Sequence, residues 1–325
     1  MVAIPTFTDP TLEAADRALE ARQEKYHRGH LGMSQIGRPC EREIWYSFRW
    51  AQRPDFDAPI LKRFEDGHRT EDLVIARLQA TPGIELHDKD ENGQQFRFED
   101  FGGHFSGSCD GAILGLIQAP KTWHVYEGKC SAKWQELDKA KRKVGEKAAL
   151  AEWNPAYYAQ GVLYMHYSGM DRHYLVCSSP GGRNETSVRT EADPVAAQVL
   201  RDKAERIIFT DTAPQRIGGP DFYQCKWCDF RALCHEGVSA DGQVLAERNC
   251  RTCLNVTPER DGTWRCTKFG HALSKDDQRA GCPLHRFLPS LVPWDQIDTR
   301  GEDVIYARPN EEWVDRGPEV AGCAL

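Results

Sequence analysis

The sequence predicts a mixed α/β domain followed by a small cysteine-rich module, and three observations carry this. Helix-patterned stretches alternate with short strand-like runs as far as residue 215. Beyond it the texture changes: Cys225, Cys228, Cys234, Cys250, Cys253, Cys266 and Cys282 follow among scattered Gly and Pro. The length of 325 residues, with 28% charged and 40% hydrophobic, suits one large domain with an appendage and excludes wholesale disorder.

In chain order, residues 11–28 are polar and helix-favouring. Residues 29–39 read as a loop punctuated by Gly29, Gly32, Gly37 and Pro39, and Pro39 suits the first turn of a helix running to residue 50. Residues 60–80 predict a second helix, with Phe64, Leu73, Ile75 and Leu78 on its apolar face. Strand-like runs at 95–100, 104–114 and 122–130 come next, with turn residues between them. Residues 132–150 predict a basic helix and 155–167 an amphipathic helix opened by Pro155. A strand at 173–178 and a helix at 195–209 complete the domain. The last stretch, 294–325, reads as an acidic tail, with eight acidic residues against three arginines.

Composition narrows the function classes. No apolar run is long enough to span a bilayer, and mean hydropathy is −0.62. The first twenty residues lack a basic segment followed by an apolar one, so the expected setting is cytoplasmic. There, twelve cysteines point to metal ligation rather than to a disulfide framework. A net charge of −7 argues against a simple nucleic-acid coat.

The most informative segment is GSCDGAI followed by HVYEGKCSA. Side chains two apart in a strand share a face, so Glu127 and Lys129 point the same way across Gly128. Asp110 ends the preceding run at a Gly-flanked turn, and a short hairpin brings it beside Glu127. Two carboxylates and a lysine at one strand end suit a hard divalent cation, Mg²⁺ or Mn²⁺. The lysine then positions, or helps deprotonate, the water that attacks a phosphate.

Gly107-Ser108-Cys109-Asp110 and Glu127-Gly128-Lys129 resemble the GxxD and ExK signature of the PD-(D/E)XK nuclease superfamily. Gln160-Gly161-Val162-Leu163-Tyr164 is similar to the QxxxY motif of its RecB-like branch, and Gly67-His68-Arg69-Thr70-Glu71 to that branch's upstream Gly-x-x-x-(His/Glu) helix. Singly, each match has an ordinary reading, such as a solvated ion pair or a half-buried helix face; the order of all four carries the resemblance, which covers about residues 30–235. It implies a restriction-endonuclease-like core, a mixed sheet flanked by helices. Asp110 and Glu127 become metal ligands, Lys129 the catalytic lysine, and Gln160 and Tyr164 its orienting groups. Glu71 completes the ligand set in place of the family's commoner histidine, with His68 as a nearby substitute.

Cys225-x2-Cys228-x5-Cys234 is one thiolate short of a four-coordinate site. Iron–sulfur nucleases of the RecB-like branch, the CRISPR-associated and AddAB-type members among them, take the first cysteine of a [4Fe–4S] cluster from before the nuclease motifs. Cys40 resembles that residue, so the resemblance implies a cluster at Cys40, Cys225, Cys228 and Cys234 that staples the two ends of the domain. Zinc at these four, or a triplet completed by Cys250, are the alternatives. Cys250-x2-Cys253, Cys266 and Cys282 form a second set with the pattern of a zinc site, with His285 or His271 as alternative ligands. Cys109, Cys130 and Cys177 read as small core residues, and Cys323 as a tail thiol. The expected division is a nuclease domain over 1–240 and a zinc-binding module with its acidic tail over 241–325.

Between residues 121 and 150 eight basic residues stand against four acidic ones. Lys133, Lys139, Lys143 and Lys147 fall partly on one helical side and suit phosphate contact. Arg38, Arg42 and Arg49 add a second basic strip, and Trp134 and Trp153 are candidates for base stacking. The resemblance implies a metal-dependent DNA nuclease acting on single strands or duplex ends. Exonuclease action is favoured because the branch is rich in exonucleases. Recombination, repair or phage DNA processing follows, with a helicase or recombination partner, in a bacterial or phage-infected cell. The competing readings are a non-catalytic nucleic-acid-binding factor on a decayed nuclease fold and an iron–sulfur redox protein. The intact Asp110, Glu127 and Lys129 argue against the first; the second lacks a flavin or nicotinamide fingerprint.

Overall fold

The computed structural model describes residues 9–24 and 27–317. Asp9 caps α1 (Pro10–Ala21), accepting from the amides of Thr11 and Leu12. A two-residue strand, β1 (Leu31–Gly32), leads to α2 (Glu41–Phe48), whose cap position is Cys40; Pro39 therefore lies just outside the helix it was expected to open. Helix α3 spans Ala58–Gln79, with Pro59 in its first turn and the Asp57 side chain capping it.

The strand run predicted at 104–114 is broken at Cys109–Asp110, and its halves belong to different sheets. After β2 (Glu85–His87) and β3 (Arg97–Asp100), β4 (Phe105–Ser108) pairs parallel with β1 and antiparallel with β3. The chain then crosses into the main sheet as β5 (Gly111–Leu114). Gly111 makes the crossing possible: its φ is 158° and a side chain there would strike the His87 carbonyl. β6 (His124–Cys130) runs antiparallel to β5, with Gly111 opposite Tyr126.

The basic helix expected over 132–150 is two helices, α4 (Trp134–Val144) and α5 (Glu146–Trp153), separated by Gly145 at φ 82°. Helix α6 (Pro155–Ser168) is capped by the Asn154 side chain. β7 (Arg172–Ser178) returns parallel to β6, β8 (Glu185–Glu191) pairs antiparallel with it, and α7 spans Pro194–Phe209. The five-stranded mixed sheet has the order β2-β5-β6-β7-β8. Val74 and Ile75 of α3 pack on one face with Tyr126 and Val176, and Leu137, Ala149 and Leu150 on the other with Leu175, Cys177 and Val188. Trp134, Trp153 and Tyr157 border this second cluster half-buried, as packing residues rather than open stacking platforms.

The C-terminal part contains α8 (Arg231–His235), the small sheet β9 (Val256–Pro258), β10 (Trp264–Cys266) and β11 (His271–Leu273), and α9 (Lys275–Ala280). Residues expected as an acidic tail instead form an antiparallel sheet of β12 (Asp295–Arg300), β13 (Asp303–Arg308) and β14 (Glu311–Asp315). The acidic residues lie largely on exposed strand positions while Val304, Ile305 and Tyr306 are buried. Cys323 lies outside the described residues.

One hydrophobic cluster joins both parts, from Leu31 and Trp45 to Trp264 and Tyr306. Its hub is Arg251, 1% exposed, with its guanidinium 3.8 Å from the Trp50 ring centre and 4.5 Å from that of Trp264. Instead of a carboxylate, it donates to the Gly29 and Phe48 carbonyls and the Gln278 amide oxygen. Burial keeps its pKa well below the ordinary arginine value. Asn249 adds a 2.9 Å bond to the Trp50 carbonyl.

Candidate active site

The four motifs converge at the end of β6. Lys129 forms an ion pair with Glu127 through Nζ and Oε1, and also donates to the Gly128 carbonyl at 3.0 Å. Asp110, held at the break between the two sheets, accepts the Gly128 amide through Oδ2 at 2.8 Å. From α6, Gln160 Nε2 donates to Glu127 Oε1 at 2.9 Å and to the Tyr164 hydroxyl at 3.0 Å. Gln160 and Tyr164 therefore orient Glu127, and reach Lys129 through it.

Glu71 arrives from α3 on the other side of the strand. Gly128 leaves room for it: a Cβ there would sit 3.5 Å from Glu71 Cγ and 3.8 Å from Asp110 Oδ2. Burial and the Asp110 carboxylate raise Glu71 to about 7. His68, the substitute considered for this position, is exposed one turn earlier on α3. Glu127 is 2% exposed, and burial above all lifts its pKa to about 8. On Lys129, burial lowers the pKa but the Glu127 and Asp110 carboxylates outweigh it and push it up, so the ammonium is retained.

Two aromatic residues join the cluster that the motifs did not include. Tyr157 places its ring 5.4 Å beneath the Lys129 ammonium, and its position three residues before Gln160 on the same helix was the available signal. Tyr126 lies beside Gly128, and its buried hydroxyl has no hydrogen-bond partner.

The glycine of the GxxD segment has a steric reason. A Cβ at Gly107 would stand 2.9 Å from both Met33 Cβ and Tyr164 Cε1. Gly107→Ala must therefore displace Tyr164 and, through Gln160, Glu127. We expect it to cost about 1–3 kcal/mol of stability and to lower the site's turnover, measured by urea unfolding and by cleavage rate. Wild-type turnover in this variant would show that the Tyr164–Gln160 chain does not tune the site.

Among the described residues, no group of three or more His, Cys, Asp or Glu side chains is preassembled as a set that could hold a metal ion. The donor chemistry nevertheless fits a cation at the carboxylates. Glu127 Oε2 is buried with no hydrogen-bond partner, beside Asp110 and Glu71. An unpaired buried carboxylate oxygen is costly, and a cation is the group that would satisfy it. These acids also engage Lys129, the Gly128 amide and one another.

The two cysteine sets each line one hollow. Cys40, Cys225, Cys228 and Cys234 surround a space of about 20 Å³, and a neighbouring hollow of about 360 Å³ shares Cys40, Cys225 and Cys228. Cys250, Cys253, Cys266 and Cys282 line a cavity of about 240 Å³. None of the eight is in a disulfide. Burial pushes Cys228 and Cys250 up to about 12, with neighbouring acidic groups adding to it: Glu43 and Cys40 at Cys228, and Cys253, Cys282 and Cys266 at Cys250. Such sets suit a thiophilic metal. His285 has both ring nitrogens engaged, Nδ1 with Arg248 at 3.0 Å and Nε2 with Thr252 at 3.1 Å, so the reserve ligand is already committed elsewhere. His271, opposite Cys266 in the β10–β11 pair, also lines the cavity.

Of the expected basic face, Lys143 and Lys147 pair with Glu152 and Glu191, while Lys133 and Lys139 are exposed; the nearby Lys141 donates to the Ser187 carbonyl. Arg49 is buried against the Thr210 carbonyl, and Arg42 holds Pro214, so neither belongs to an open strip. Among the described residues no helix is long and apolar enough to cross a membrane.

No family model matches the sequence, and no curated protein matches it. Among solved structures the chain is similar to LHK-Exo, an alkaline exonuclease from Laribacter hongkongensis, in its complex with dAMP: 16% identity and a TM-score of 0.38, over 60% of this chain and 90% of that one. It is similar also to a phage-related exonuclease from Haemophilus somnus 129PT, at 17% identity and a TM-score of 0.38, over 56% of this chain and 92% of that one. A third is SSO0001, at 15% identity and a TM-score of 0.35, over 70% and 98%.

Proposed function

We propose that the protein is a metal-dependent DNA nuclease of the RecB-like PD-(D/E)XK type, hydrolysing phosphodiester bonds from DNA ends. The observation that carries this is the convergence of Asp110, Glu127 and Lys129 at one strand end, with Gln160 bridging Glu127 to Tyr164 and Glu71 closing the other side. Four separate sequence segments supply it, which an incidental ion pair does not require.

Glu127 Oε2, Asp110 and Glu71 would hold Mg²⁺ or Mn²⁺. Such an ion supplies Lewis acidity toward a phosphate oxygen and makes water easier to deprotonate. Lys129 faces the same space as an ammonium, suited to bind a phosphate oxygen and to offset the charge that develops on it. Gln160 and Tyr164 keep Glu127 from turning away, and the Tyr157 ring keeps Lys129 over the site.

In this reading Cys40, Cys225, Cys228 and Cys234 hold a [4Fe–4S] cluster within residues 1–240, and Cys250, Cys253, Cys266 and Cys282 hold zinc within 241–325. A DNA-processing role in a bacterial or phage-infected cytoplasm, with a helicase or recombination partner, follows from the family resemblance. The test is incubation with Mn²⁺ and DNA labelled at its 5′ or 3′ end, single- and double-stranded. The expected result is stepwise shortening from an end. Binding without cleavage by metal-loaded protein would favour the non-catalytic reading.

A further inference from the structure

A group of cations from three distant segments meets beside β1. His30, half-buried, feels Arg28, Arg97, Lys275 and Arg251; burial first, then these charges, hold its imidazole down to about 4. Arg251 is committed to the core through the Gly29 carbonyl at 2.9 Å. The other three reach outward. The Lys275 ammonium, at the start of α9, stands 3.7 Å from where a Cβ on Gly29 would lie. The Arg28 guanidinium lies over Gly32 and reaches the Ser34 hydroxyl at 3.5 Å. Arg97, exposed on β3, pairs with Glu99 at 2.7 Å. Both members of that pair are about half exposed, so it is worth little and exchanges easily for another anion.

The patch connects to the carboxylates along the backbone. Arg97 is opposite Ser108 in the β3–β4 pair, two residues before Asp110, or about 7 Å of extended chain. Ser108 and Arg97, opposite each other, project from the same face of the pair, so a ligand that extends from Asp110 past Ser108 would meet Arg97 next.

We propose that Arg28, Arg97 and Lys275 form a track for the phosphate backbone of the nucleic-acid strand leading to the carboxylate site. Lys275 makes the C-terminal module part of the substrate-binding surface, in addition to any metal it carries. This rests on the nuclease reading, because it is the phosphodiester chemistry next door that makes a polyphosphate backbone the occupant. Successive phosphates match a row of cations with different side-chain lengths, and such contacts set register without reading sequence.

The test uses the full chain, a fluorescein-labelled twenty-nucleotide thymidylate strand and Ca²⁺ buffer, with anisotropy read over a salt series. Arg97→Glu combined with Lys275→Glu should weaken binding at least tenfold. Arg97→Ala with Lys275→Ala should flatten the salt dependence by about 1.4 in slope, roughly 0.7 per lost single-strand phosphate contact. Both changes are on exposed side chains, so thermal unfolding should be unchanged. Arg172→Glu, a single charge reversal at the start of β7 in the five-stranded sheet, controls for general charge. Affinity and slope equal to wild type in the double variants, alongside wild-type cleavage in Mn²⁺, overturn the track alone. Intact wild-type binding with no cleavage in Mn²⁺ overturns the nuclease reading instead, and loss of binding by Arg172→Glu to the same degree would reduce the patch to overall charge and overturn it.

Discussion

Lys129→Met is expected to lower metal-dependent DNA cleavage by about a thousandfold, the scale at which a positioned proton-transferring or charge-stabilising group contributes. Asp110→Asn should do the same by another route. The amide still accepts the Gly128 N–H, but the charge that would help hold a cation is gone. Neither change should unfold the protein. Burial pushes the Glu127 carboxyl up, with the Lys129 ammonium opposing it. Once that ammonium is removed, Glu127 can take up a proton instead of being left as an unpaired buried carboxylate, which would be costly. Cleavage rates on end-labelled DNA in Mn²⁺, with thermal unfolding followed in parallel, check both statements. Undiminished cleavage in both variants would remove the site from consideration.

The site was legible because its chemistry is local in sequence. Glu127 and Lys129 share a strand face by the two-residue period, and Gln160 and Tyr164 share a helix face by the four-residue spacing. Tyr157 obeys the same helical period but carries no motif letter, so it passed unmarked. That the chain changes sheets at Cys109–Asp110 was not legible, because FSGS and GAIL are both strand-like and only tertiary pairing assigns them to different sheets. β8 was missed because ETSVRTE is polar in composition, although Thr186, Val188 and Thr190 alternate inward. The tail was misread for a related reason. Charge counted over 294–325 hides the short apolar run Val304, Ile305 and Tyr306, which is buried in β13, the central strand of the three.

The chain segments that carry the cysteines set the expected outcome of removing them. Cys225→Ser should remove iron and leave zinc, and Cys250→Ser should remove zinc and leave iron. The first should cost more stability. Bridging Cys40 to Cys225 closes a loop of roughly 185 residues, which in the chain-entropy picture is worth about 5 kcal/mol. The second set closes much shorter loops, and its segment is independently tied to α2 and the chain beside it through Arg251 and Asn249. Its loss should therefore loosen the cysteine hairpins while the Trp50–Arg251–Trp264 stack stays in place. Anaerobic purification, iron and zinc analysis, and urea unfolding of the two variants measure this directly. Wild-type protein with stoichiometric zinc and no iron would overturn the cluster assignment. Loss of both metals from Cys250→Ser would mean that the two sets are partitioned differently, with Cys250 completing the triplet of Cys225, Cys228 and Cys234.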